Sequence, residues 1–337
     1  MKPVLRVDGS NASAVDGRPT LDVKKAVWNW SMIAGAIFLG PLTFGWGAVL
    51  MCCVLTYFSL LVGHSAGMHR MMIHKTYQCP QLLERTLIYI GVLVGMAGPF
   101  GILHIHDLRD WAQRQRECHD FFAHRRSYVK DILWQLTCRF EFAHPPKFKI
   151  ERELAGDRWY QFLESTWRFH QLILAIPLYL LGGWAWVVWG IFVRISISIL
   201  GHWTITYLCH NPGPGKWRVK GASVQASNIP GIGFLTYGEC WHNNHHAFPE
   251  SARIGLEKGQ SDPSWVFISW LGKFGWAKNI GLPRPFDQRE DLFLADDVSP
   301  QISLKKDRVH YLGGMDMKAS RSRKSRSSGY CAIGRES

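Results

Sequence analysis

Residues 238–249 read Gly238-Glu239-Cys240-Trp241-His242-Asn243-Asn244-His245-His246-Ala247-Phe248-Pro249. Three imidazoles fall within five residues. On a helix, positions i, i+3 and i+4 share a face, so His242, His245 and His246 can converge on one small volume. Neutral imidazole is the commonest protein metal ligand and suits iron, zinc and copper. The competing reading is a solvated polar turn after a membrane helix. It is disfavoured because further histidines of the same kind stand upstream.

The nearest such group is Gly67-Met68-His69-Arg70-Met71-Met72-Ile73-His74-Lys75. Its HxxxxH spacing sets two side chains about 140° apart on an ideal helix, so they serve two metals, or one metal where the helix ends. His104 and His106 follow, and His210 stands alone. These histidines punctuate long apolar blocks at 27–44, 47–62, 87–103, 172–181 and 184–208, the last two split at Gly182-Gly183. A spanning helix needs about 20 largely apolar residues. Trp46, Trp184 and Trp186 sit near block ends, where interfacial aromatics belong. The 337 residues, 47% of them hydrophobic, fit one membrane body.

Topology constrains the 87–103 block. His74 precedes it and His106 follows it, so a full crossing would separate the two. The metal-site reading therefore predicts that this block dips into the interface and returns, and Pro99 with Gly91, Gly95, Gly98 and Gly101 agrees. Four spanning helices remain. The net charge of +13 is concentrated in 109–168 and after His210. Basic loops stay cytoplasmic, which predicts cytosolic histidines and cytosolic chain ends. Residues 1–25 are polar and show no cleavable leader, so the first block is expected to be retained. The eight cysteines form no CxxC pair and read as reduced thiols.

These motifs resemble the integral-membrane fatty acid desaturase family, most closely its acyl-CoA and acyl-lipid Δ9-type branch. The resemblance rests on His69/His74 in a GxHR context and on His242/His245/His246 within GEGWHNNHHAFP, with Cys240 replacing a glycine. It extends to 249–256 and to Asp262-Pro-Ser-Trp265. His210 matches the family's extra histidine, with Thr206 where the family has asparagine. The similarity covers 27–285. Residues 1–26 form a polar N-terminal segment, and 286–337 form an extension ending in a basic Ser/Arg-rich tail. The resemblance implies an all-α membrane fold, with four transmembrane helices beneath a cytosolic helical cap that carries the histidine boxes.

The second box departs from the family's HRxHH. Counted from Gly98-Pro99 it falls at 106–110, where the chain reads His-Asp-Leu-Arg-Asp. His106 keeps the first ligand position. Asp110 takes the third, and carboxylates ligate hard metals. Arg109 takes the second and cannot ligate, because guanidinium has no acceptor. A rival register places the box at 115–119 and keeps only His119. His104, His119 and His124 are spare imidazoles. His64 and His202, beside apolar runs, read as structural.

The resemblance implies a non-haem di-iron centre on His69, His74, His106, Asp110, His210, His242, His245 and His246, with dioxygen as co-substrate and no separate catalytic residue. Arg109, Thr206, Glu239 and Arg194 are candidates for orienting ligands or contacting substrate, and Asn243 for satisfying backbone groups or orienting a ligand. For Arg194 two readings stand equal, one lining the substrate entrance and one snorkelling to the interface. The implied reaction is insertion of a cis double bond into an acyl chain of acyl-CoA or membrane lipid. A lipid hydroxylase and a metal-depleted acyl-binding pseudoenzyme are the alternatives. The electron donor must be separate, a ferredoxin or a small haem cytochrome with its reductase. No nucleic acid is expected.

Overall fold

The computed structural model of the chain describes residues 5–295. Helices dominate, in the order α1 (Val23–Leu39), α2 (Trp46–Phe58), α3 (Gln81–Leu93), α4 (Pro99–Arg114), α5 (Asp120–Ala123) and α6 (Tyr128–Thr137). There follow α7 (Arg152–Gly156), α8 (Arg158–Thr166), α9 (His170–Val187), α10 (Arg194–Cys209), α11 (His242–Ala247) and α12 (Pro263–Lys273). Two stretches are long and apolar enough to cross a membrane, Trp46–Ile73 and His170–Cys209. In the first, α2 continues without a break into a π-wound segment, Ser59–Ile73. The second is interrupted at Gly182 and Gly183, where Gly183 takes φ +62°. The outer faces of these helices and of α1 are bare: Leu50, Val54, Ile176 and Leu180, with Ile37 and Phe38 on α1, are all exposed. Apolar faces this large mark a surface covered by something other than water.

Residues 87–103 do not form one helix. The chain leaves α3 at Val94, turns through Gly95 at φ +81°, and restarts at Pro99. Pro at the first helical position needs no hydrogen-bond partner for its nitrogen. The turn is fixed from both sides. Trp28 Nε1 donates to Gly95 O at 2.9 Å. The amides of Phe100 and Gly101 donate to Glu164 Oε2 at 2.8 and 3.1 Å, capping the new helix with a carboxylate. α3 packs against the π-wound segment so closely that a side chain at Gly63 or Gly67 would collide with the backbone at Gly91 or Leu87.

The all-α expectation needs one correction. Three antiparallel ribbons are present: β1 (Val7–Asp8) with β4 (Lys147–Phe148), β2 (Gly17–Leu21) with β3 (Cys138–Phe142), and β5 (Trp217–Val219) with β6 (Leu292–Leu294). Two of them tie the N-terminal segment to the 138–148 loop. That segment packs within the same compact unit, which runs through Ala295. The basic tail lies outside the described residues. Among the described residues, seven cysteines are free thiols.

Arg6 shows what holds the N-terminal segment down. It is 4% exposed, donates to the carbonyls of Ile73 and Met72 at 3.0 and 3.2 Å, and pairs with Asp107 at 2.9 Å and Glu151 at 2.8 Å. Lys75 also reaches Glu151, at 2.7 Å. Burial raises the Glu151 carboxyl, but hydrogen bonds from Arg6 and Lys75 outweigh it and bring it from 4.5 to about 2. A carboxyl depressed on folding stabilises the fold above its unfolded value and loses that contribution as pH falls through its folded value. Stability should therefore drop between about pH 4.5 and 2, and Glu151→Gln should flatten that part of the profile. Thermal unfolding of the two proteins across this window checks it, and superimposable slopes would reject it.

Candidate metal centre

The first histidine pair meets because the helix is underwound there, with an extra residue per turn. A π-winding closes i→i+5 hydrogen bonds, and His74 N donates to His69 O at 3.1 Å. Residues five apart thus sit one above the other, and the His69 and His74 rings lie 4.8 Å apart instead of on diverging faces. The turn between α3 and α4 returns the chain to the same side, where His106 Nε2 stands 3.2 Å from His74 Nε2. α11 supplies His245, whose ring is 4.7 Å from His69 and 4.5 Å from His74. These four imidazoles form one cluster, with donor atoms within 4.8 Å of one another.

A second cluster joins His210, His242 and His246. His210 ends α10. Its Nδ1 lies 2.7 Å from the Thr206 carbonyl, which turns Nε2 towards His242 at 3.2 Å. His242 and His246, four apart on α11, bring their Nε2 atoms to 3.1 Å. The rings of His245 and His246 are 6.0 Å apart, so α11 carries ligand-type nitrogens into both clusters.

The outer nitrogens are held by hydrogen bonds. Glu239 accepts from His69 Nδ1 at 2.8 Å and from Ser65 and Arg70. Asp107 accepts from His106 Nδ1 at 3.2 Å. Carboxylates and carbonyls in this position fix the tautomer and raise the basicity of the inner nitrogen. Burial holds His74, His210, His242 and His245 well below the ordinary imidazole value and brings His246 to about 4. His106 differs: burial lowers it, but Asp110 and Asp107 outweigh burial and leave it raised. Neutral imidazoles crowded at these distances suit a cation, and His245 Nδ1 is buried without a partner. The donor sets therefore fit iron, zinc or copper.

A cavity of about 620 Å³ opens beside both clusters. Its lining includes the charged Lys24, Glu164 and Arg168, the buried Thr56 and Ile199, and His69, His106 and His242. That volume suits a ligand of small-molecule size. Arg109 and Asp110 both line it. Arg109 stacks over Trp203 at 4.9 Å. Burial lowers its guanidinium to about 10, against the pull of Asp110 and Asp131, so it stays charged at neutral pH. Asp110 falls in neither cluster.

Of its two expected roles, Asn243 takes the backbone one. Its amide clamps β5 and the 226 loop through Trp217 N, Trp217 O and Ala226 O at 2.8–2.9 Å. Several other residues take roles the sequence did not suggest. Arg194 neither lines the cavity nor snorkels. It is fully buried, donating to Gly190 O at 2.6 Å and Gln171 Oε1 at 2.7 Å. Thr206 acts through its carbonyl. His119 caps α5 by accepting from Phe121 N, which removes the rival 115–119 register. His104 packs on Phe148. His124 pairs with Asp131 and stacks behind His210. His64 and His202, read as structural, both line the cavity with rings 5.3 Å apart. No motif spacing links these two, and only the packing of the helices brings them together.

Comparison with known proteins gives the same direction. A model described as fatty acid desaturase matches residues 44–255. The sn-1 stearoyl-lipid 9-desaturase of Anabaena variabilis is 32% identical over 80% of this chain and 97% of its own length. A second sn-1 stearoyl-lipid 9-desaturase, from Synechocystis sp., is 31% identical over 75% of this chain and 77% of its own. The acyl-CoA C20 Delta5-desaturase of Anemone leveillei is 29% identical over 79% and 87%. Matched along most of its membrane body, the chain belongs to the fatty acid desaturase family and is an oxidoreductase that introduces double bonds into fatty acyl chains.

Proposed function

We propose that this protein desaturates acyl chains carried on membrane lipid or coenzyme A, using two irons held at the cytosolic edge of four spanning helices. The supporting observation is the pair of imidazole clusters beside a cavity lined by His69, His106, His210 and His242 together with many apolar side chains. His69, His74, His106 and His245 would hold one iron, and His210, His242 and His246 the other, with Asp110 as an added carboxylate ligand. Bound iron supplies dioxygen activation and hydrogen abstraction from an unactivated methylene. The chain's own residues supply position and dryness. Leu60, Ile102, Ile197 and Ile199 line the cavity and would keep the acyl chain extended past His69 and His242. Glu239 and Asp107 keep the ligating rings oriented. Lys24, Lys25 and Arg168 in the lining suit a phosphate-bearing carrier. The break at Gly182-Gly183 divides the second apolar stretch into two spans, and α1 with α2 supplies the other pair.

Electrons would come from a separate ferredoxin or small haem cytochrome. Exposed Arg125, Lys130 and Arg139 form a basic face suited to an acidic donor. Fatty-acid profiling by gas chromatography tests the reading in a host without its own desaturase. New monounsaturated acyl chains are expected, and no new product, or hydroxylated chains alone, would reject it.

A further inference from the structure

Asp110 sits mid-way along one face of α4. One turn before it, His106 reaches the four-histidine cluster through His74 at 3.2 Å. One turn after it, Arg114 donates from Nη2 to the backbone oxygen of His246, in the three-histidine cluster, at 3.2 Å. At a rise of about 1.5 Å per residue, Asp110 stands roughly 6 Å along the axis from either contact. Its carboxylate lines the cavity and belongs to neither cluster. Among the described residues it takes part in no ion pair within 4.0 Å and accepts no side-chain hydrogen bond. His106 and His74 of one cluster, His246 of the other, and Arg114 all act on its charge. A carboxylate with two oxygens can serve two cations at once.

We propose that Asp110 is a carboxylate shared between the two metal positions, linking the clusters instead of completing one of them. This rests on the two-metal reading above. The neighbouring residue fits the arrangement, because Arg109 is turned onto Trp203 and leaves the seam to the carboxylate. A shared carboxylate also offsets part of the charge of two close cations, which imidazoles alone do not. Removing it should weaken both sites together.

The test uses the full chain in detergent with Mn(II) as probe. Metal count comes from mass spectrometry and spin coupling from electron paramagnetic resonance. The parent protein should hold two Mn(II) with exchange-coupled spins. Asp110→Asn should lose the coupling and lower affinity at both sites by roughly tenfold or more. Asp110→Glu, which keeps a carboxylate, should restore part of the coupling. Asp110→His serves if the Asn variant does not fold, and it should hold two Mn(II) with independent spins. Coupling retained in either the Asn or the His variant would overturn the proposal. So would loss of a single Mn(II) from Asp110→Asn, the mark of a terminal ligand. Two uncoupled Mn(II) in the parent would overturn the shared carboxylate and leave the two-metal reading standing. Fewer than two Mn(II) in the parent would overturn both.

Discussion

Replacing His245 by alanine should abolish the desaturated product, a loss of at least about 10³-fold, or roughly 4 kcal/mol of transition-state stabilisation. His245 is the ligand candidate that joins the two halves of the centre. Its ring touches His69 and His74, on the π-wound helix, at under 5 Å. Its backbone belongs to α11, which carries His242 and His246. It is 3% exposed, and burial keeps its imidazole neutral, ready to ligate. Alanine removes the donor and leaves an aqueous gap between the clusters. Bound metal should fall with activity while the helical content stays unchanged. Profiling the host's lipids with each variant checks activity, and metal analysis of the purified protein checks the cause. Unsaturated lipid accumulating in the His245→Ala strain would refute the site.

Much of this centre was legible because imidazole is rare and costly in apolar sequence. The HxxHH run on α11 needs only helical periodicity to converge. The histidines on either side of 87–103 forced a broken block, and Gly95 and Pro99 occupy the break. The HxxxxH pair was less legible. Ideal α-helical spacing sends His69 and His74 apart, and only the i→i+5 winding of Ser59–Ile73 unites them. Nothing in local propensity announces that winding. Long-range partners were equally hidden. Arg194 looked like an interfacial or substrate-facing charge, but it is buried and donates to a glutamine 23 residues earlier and to a helix carbonyl. The N-terminal segment read as a polar appendage because its ribbons pair with strands more than a hundred residues away.

Arg70 shows how such a hidden network fixes the chemistry, and its loss should be the most destabilising single change near the site. The residue follows His69 and is 1% exposed. Its guanidinium pairs with Glu239 at 3.1 Å and Asp262 at 2.9 Å, and donates to the carbonyls of Ala252 at 2.8 Å and Tyr237 at 3.2 Å. Asp262 in turn accepts from the amides of Ile254, Gly255 and Trp265. One side chain thus joins the first histidine pair to the loops on both sides of the last. Arg70→Met leaves two carboxylates withdrawn from water and facing each other, a cost of about 3–5 kcal/mol. Arg70→Lys should recover only part of it, because an ammonium is a point donor and cannot span both carboxylates and both carbonyls. The functional consequence passes through Glu239. Without its guanidinium partner that carboxylate no longer holds His69 Nδ1 in a fixed tautomer, so metal should be lost before the fold unfolds. Thermal unfolding and metal retention measured on the same samples separate the two effects. A Met variant with parental midpoint and full metal would mean that the amides around Asp262, and Ser65 with His69 at Glu239, satisfy the two carboxylates without Arg70.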